Sequence, residues 1–142
     1  MAKIVDARKI AYSERMPLDW KSGELAEGLA CYRRGEFFLA HEHWESVWLT
    51  LKEPEKSFLQ ALIQMTAAFH HLEAGNSTGT ASLLRRTLRR IELCPSYFGG
   101  IAVTPLRAEI SEWLQAIESG TPRLPAAHPR IRLTDPPPVA KT

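Results

Sequence analysis

An all-α domain of about five helices is the fold class that the sequence predicts, and three observations predict it. Apolar residues recur at helical spacing in five separate stretches, and a glycine or proline closes each of them. The turns between the first four stretches are short, as in antiparallel helical hairpins. One stretch, residues 57–72, has no charged residue and is apolar on nearly every side, the composition of a central helix.

The elements follow in order. From Glu24, residues Leu25, Leu29 and Tyr32 form one apolar face, and Gly35 ends that helix as a C-cap. A second helix is expected over about residues 37–51, stopping before Pro54. A third begins after Pro54 and runs to about Ala74, where Gly75-Asn76 breaks it. The fourth covers about residues 78–93 and ends at Pro95, and Gly99-Gly100 marks a loop. The fifth, about residues 105–118, carries Ile110, Leu114 and Ile117 at helical spacing with Trp113 beside them, and Gly120 and Pro122 close it. The architecture is therefore two antiparallel hairpins plus a closing helix.

Around this helical domain (24–119) we place an irregular N-terminal arm (1–23) with Pro17 and a Trp20 that packs onto the domain. A Pro-rich extended tail (120–142) holds Pro125, Pro129 and Pro136-Pro137-Pro138; it is neither helix nor central strand, and its end is expected to be disordered. A faint internal repeat pairs Tyr32-Arg33-Arg34-Gly35-Glu36-Phe37 with Leu72-Glu73-Ala74-Gly75-Asn76-Ser77, each reading as helix, tight turn, helix. The Tyr-x-x-Gly-x-Phe-x-x-Ala pattern from Tyr32 to Ala40 resembles tetratricopeptide helix pairs, from which only the packing inference is taken.

Composition narrows the function classes. A chain of 142 residues can bury roughly two-thirds of its unfolded surface, so it needs no metal or disulfide staple to fold. The net charge of +2 gives no field of one sign, which neither indicates nor excludes nucleic acid. Cys31 and Cys94 lie far apart in no metal-type spacing and read as reduced thiols, the usage of a cytoplasmic protein. No apolar signal core is seen at residues 1–6, and the uncharged run 57–72 is too short to span a membrane.

The chemistry-bearing residues sit on the second and third helices. With about 100° per residue, His41 and Glu45 fall inside the apolar stripe of Phe37, Trp44, Trp48 and Phe38, with Glu42 at its margin and His43 pointing away. On the third helix Gln60, Gln64, Ala67, Ala68 and His71 share one side. Polar groups on buried faces need partners, so the economical arrangement turns the two stripes toward each other and brings His41, Glu45, Gln60, Gln64 and His71 together, beside Trp48. Three readings stay open. The cluster is a buried hydrogen-bond network that fixes helix register; or a pocket in which His41 is a general acid/base oriented by Glu45; or a metal site using His41, Glu45 and His71. Against the metal, Glu45 stands where the zincin motif needs its second histidine, and the paired Glu-x-x-His motifs of di-iron bundles are missing. The stripe of Phe37, Trp44 and Trp48 reads as core. On the fourth helix Arg85, Arg86, Arg89 and Arg90 form a basic strip, a solvated face or else a phosphate or nucleic-acid contact without interleaved aromatics.

These residues also carry a resemblance. Phe37 to Trp48 resembles the His-Glu-x-x-Glu-x-x-Trp segment of the domain-of-unknown-function family 309, and residues 58–64 and 71–76 resemble two further segments of that family. The resemblance spans about residues 24–118 and implies a small multihelical fold with no established activity. Two departures stand out: Ala61 where the family usually has glycine, and Gly100-Ile101-Ala102 where it tends to have Gly-Ile-Asp. The sequence thus leads to a non-enzymatic binding or structural module with no cofactor and no membrane partner, possible self-association, and a metal-dependent or acid/base hydrolase-like enzyme as the rival.

Overall fold

The computed structural model describes residues 18–134. Expectations for residues 1–17, including Pro17, and for Pro136-Pro137-Pro138 fall outside them. Among the described residues five helices form: α1 (Gly23–Arg33), α2 (Phe37–Trp48), α3 (Glu55–Glu73), α4 (Ser77–Ile91) and α5 (Val103–Ser119). A two-strand ribbon, β1 (Tyr97–Phe98) with β2 (Ile101–Ala102), stands before α5. The protein is predominantly α-helical, as its periodicity predicts.

The two hairpin turns are the same device built twice. Gly35 and Gly75 take left-handed φ values of 80° and 79°. Behind them the Glu36 amide donates to Cys31 O at 2.8 Å and the Asn76 amide to His71 O at 2.8 Å, while the Gly35 and Gly75 amides donate to Tyr32 O and Leu72 O. Both turns are Schellman caps that satisfy the last helix carbonyls. The repeated segments 32–37 and 72–77 are therefore one turn geometry.

α3 is the spine, with α2 on one flank and α4 on the other. It buries Phe58, Leu59, Leu62, Met65 and Phe69 with its small residues Ala61 and Ala68. Those alanines let α4 come close enough for buried threonines to reach α3 carbonyls: Thr80 Oγ1 donates to Ala68 O at 3.0 Å and Thr87 Oγ1 to Ala61 O at 3.3 Å. On the other hairpin Trp44 is fully buried, donates through Nε1 to Leu25 O at 3.1 Å and meets Trp20 edge-on at 5.9 Å. Arg107 of α5 donates to Ile91 O at 2.6 Å and Cys94 O at 3.1 Å, placing a cation on the carbonyl end of α4.

The structure departs from the sequence reading in two places. Gly99-Gly100 is a two-residue hairpin turn with φ of 58° and 82°, not an open loop. Strands of two residues are too short for any alternation to register in sequence. Ala102 then sits at the N-cap of α5 and offers no side-chain hydrogen bond. Position 102 is thereby a helix-capping position. Ala102→Asp is expected to stabilise the fold by about 1 kcal/mol. A urea midpoint that falls or stays put would contradict the capping assignment.

The second departure is the tail. Residues 121–134 form an extended strap lying over α1 and α5, and Ile131 is only 3% exposed. Tyr32 Oη donates to Pro129 O at 2.5 Å, Trp113 Nε1 to Ala127 O at 2.9 Å and Arg33 Nη2 to Ile131 O at 2.9 Å. The strap ends beside the ribbon, where the Ala102 amide donates to Arg132 O and the Thr134 amide to Gly100 O. His128 lies among aromatic rings, 4.6 Å from Tyr32 and 5.2 Å from Phe37 between centroids. Burial lowers its pKa below 6.5, with the Tyr32 backbone pulling weakly the other way. The unfolded chain then takes up the proton more readily, so this contribution to stability is present above pH 6.5 and lost as the pH falls below it. Denaturation midpoints between neutral pH and pH 5 are expected to fall more steeply for the natural chain than for His128→Gln. Parallel slopes would refute the assignment.

Candidate functional site

α2 buries Phe37, Ala40 and Trp44, and that choice of inner side places every other functional group on the helix. His41 sits at the edge of the buried side with 31% of its side chain exposed, and Glu45 lies further out at 52%. The expected burial of Glu45 is therefore corrected: the centre of the apolar stripe is Ala40–Trp44, and one turn from His41 rotates Glu45 into solvent. Glu42, expected at the margin, joins the pair. His41 Nδ1 is 3.4 Å from Glu45 Oε2 and 3.8 Å from Glu42 Oε1, and one ligand atom from each residue lies within 4.8 Å of the other two.

His41 Nδ1 is itself inaccessible to solvent and has no hydrogen-bond partner, because neither carboxylate meets hydrogen-bonding geometry. Among the described residues, neither Glu42 nor Glu45 has a charged partner other than His41. His43 points the other way and ties α2 to α1 through Glu24, with Nδ1 2.7 Å from Oε2. Trp48 is half-buried beneath the Lys56 ammonium, 4.4 Å from the ring centroid, and its Nε1 is buried without a hydrogen bond.

The polar seam of α3 does not meet this group. Gln64 Oε1 accepts from Arg90 Nε of α4 at 3.1 Å, and His71 Nδ1 is 3.2 Å from Asn76 Nδ2 at the start of α4. Gln60, Gln64, Ala67 and His71 are all half-buried. The physical reason is the number of neighbours. α2 touches one flank of α3, where the Phe38 and His70 rings are 5.8 Å apart, and α4 covers the other through Thr80 and Thr87. The core lies beneath, with Phe69 against Trp113 at 5.1 Å. The glutamine seam is what remains, and it runs along the outside between the two flanking helices. The convergence of His41 and Glu45 with Gln64 and His71 is thus not formed, and His71 is not placed to share a ligand with His41.

The arginine strip divides. Arg85 pairs with Glu118 of α5 at 2.7 Å and Arg90 with Gln64, while Arg86 and Arg89 are exposed. A nucleic-acid surface built on all four would first have to break two contacts between helices.

Sequence reasoning passed over two residues. Glu42 was signalled by the His-Glu-x-x-Glu segment itself, whose three chemistry-bearing residues are the ones that gather here. Gly28, which makes room for Trp44, carries no signal beyond being a glycine inside a helix.

Fold and site together define a small helical domain with one imidazole and two carboxylates on the edge of its second helix. Residues 25–83 match the model of the family described as Domain of unknown function (DUF309). The chain is also 31% identical over 119 residues to an uncharacterized protein of Aquifex aeolicus (strain VF5), an alignment covering 82% of this chain and 36% of that protein. This chain therefore matches about a third of that relative's length. Among the described residues no helix is long and apolar enough to cross a membrane.

Proposed function

We propose that this protein is a small binding module whose functional centre is the His41–Glu42–Glu45 triad, and that its ligand there is a divalent first-row transition cation. One observation carries the reading: the solvent-excluded His41 Nδ1, without a hydrogen bond, faces two carboxylate oxygens at 3.4 and 3.8 Å. A buried imidazole nitrogen left unpaired costs free energy, and an ion between these three groups removes that cost and the repulsion between the carboxylates together. Ligand separations of this size suit bonds of about 2.0–2.2 Å to zinc, and one nitrogen with two oxygens also suits manganese or iron. Glu42 takes the place that the sequence reading gave to His71. The triad is open enough for water to complete the coordination. In this reading the helical unit 24–119 is the scaffold, with no catalytic step assigned to it, and the two free cysteines support a cytoplasmic setting.

The test is titration of the chelator-treated protein with Zn²⁺ and Mn²⁺ by calorimetry. One ion per chain is expected, with affinity falling at least tenfold in Glu45→Gln and in His41→Ala. Because these side chains are about one-third (His41) and one-half (Glu45) exposed, both variants should keep the natural circular dichroism and denaturation midpoint. At a hundred times the dissociation constant, the cation should stabilise the natural chain by about 2.7 kcal/mol. Absence of uptake at millimolar metal, or uptake indifferent to both substitutions, would overturn the proposal.

A further inference from the structure

The strap is held in the manner of a bound peptide. Its three anchors are side-chain donors of the helical unit, from α1 and α5, and their acceptors are backbone carbonyls of residues 127, 129 and 131. Every second carbonyl on one side of an extended chain is read, and such contacts do not depend on the strap's own side chains. Side chains fill sockets between these points: the His128 ring enters the aromatic cluster of Tyr32, Phe37 and Phe69, and Ile131 is buried. Charge is matched along the α5 edge, where Glu109 accepts from the Arg130 amide at 3.2 Å and pairs with the Arg132 guanidinium at 2.5 Å.

The fit is incomplete on both sides. A cavity of about 380 Å³ lies between the strap and α1, bordered by Tyr32, Arg33 and His128. Another of about 330 Å³ lies on the α5 side, bordered by Glu109, Glu112, Trp113 and Arg130. The tether leading in is weakly attached: Gly120 ends α5 in a left-handed turn, and Pro122, Arg123, Leu124 and Ala126 are exposed. Strap release would turn about this tether and would break its hydrogen bonds to α1, α5 and the ribbon and uncover Ile131 and His128.

We propose that the groove between α1 and α5 is a recognition site for extended, proline-containing basic peptides, and that the chain's own strap is its intramolecular occupant. Aromatic-lined grooves with Tyr and Trp donors suit such segments because a proline-rich chain is already extended and loses little entropy on docking. The stated ligand has a small residue, an aromatic or imidazole side chain, proline, arginine and a β-branched aliphatic residue in succession, as residues 127–131 do. Flexible tethering gives the strap a millimolar effective concentration, so an outside peptide competes against it and gains whatever affinity the strap loses. This groove is separate from the α2 triad, and the inference does not rest on the metal reading.

The test uses the full chain and a fluorescently labelled synthetic peptide of residues 121–134. Ile131→Ala and, more strongly, Ile131→Asp weaken the strap without touching the groove. Each is expected to bind the peptide at least tenfold more tightly than the natural chain, and a scrambled peptide should gain nothing. Adding Trp113→Phe, which keeps an aromatic ring at the position and removes the Nε1 donor, should reverse the gain. Circular dichroism and one-dimensional NMR identify which of the two strap variants stays folded, and Ile131→Ala is the milder. Equal affinity for natural and strap-weakened chains, or no binding by a folded strap variant, would overturn the proposal. So would concentration-dependent dimers of the natural chain that exchange straps, since the occupant would then be a second copy.

Discussion

Gly28→Ala is expected to destabilise the fold by about 2–3 kcal/mol, although alanine is the better helix former. A methyl group at position 28 would stand 2.3 Å from Trp44 Nε1 and 2.4 Å from its Cδ1, well inside any tolerated contact. The indole cannot yield easily, being fully buried, bonded to Leu25 O and held edge-on by Trp20. Glycine inside a helix costs about 0.5–1 kcal/mol relative to alanine, and overpacking of a tight core costs about 1–3 kcal/mol, occasionally more. The clash therefore wins. Urea denaturation checks the single change, and a cycle with Trp44→Leu isolates its cause. If the glycine exists to admit the indole, Gly28→Ala should be neutral or mildly stabilising in the Trp44→Leu background. The same loss in both backgrounds would mean that Gly28 serves something else.

Phe69→Ala is expected to cost about 3–5 kcal/mol, a large part of the about 5–15 kcal/mol that holds a domain of this kind together. Phe69 is 2% exposed, and its ring centroid lies 5.6 Å from Phe37, 5.1 Å from Trp113 and 6.4 Å from His128. It thus joins the first hairpin, the closing helix and the strap. The substitution leaves a cavity at a point where all three meet, and it removes part of the socket for His128. Hydrogen exchange should consequently quicken at the strap amides of Arg130 and Thr134, which donate to Glu109 and Gly100 O, more than at those in the middle of α4. A loss below about 1 kcal/mol, or uniform exchange throughout, would show that the three elements do not depend on this ring.

Residues 23–119 were legible to the extent that their pattern is local. Leu25, Leu29 and Tyr32 mark a helix because a period of 3.6 is a property of the chain itself. Gly35 and Gly75 end helices because a left-handed residue is cheap only for glycine. The candidate site was half legible. His41 and Glu45 are one turn apart and their proximity follows from the helix alone, whereas their burial does not.

What sequence could not decide was how many sides of each helix would be covered. α3 is apolar on most of its circumference, which reads as a helix enclosed all round, yet its glutamine seam is only half-buried, left between the two flanking helices. Rotation of α2 by a fraction of a turn separates a buried Glu45 from an exposed one, and that rotation is set by how Trp44 seats against Gly28, a contact between residues on different helices. The strap follows the same logic. Its prolines exclude helix and leave an extended chain, but docking depends on Trp113, Tyr32 and Arg33 presenting donors at the spacing of alternate carbonyls. Local backbone preference therefore determined the helices, their ends and the extended tail. Side-chain packing between distant segments decided which faces meet water, because burial is a property of neighbours and not of period.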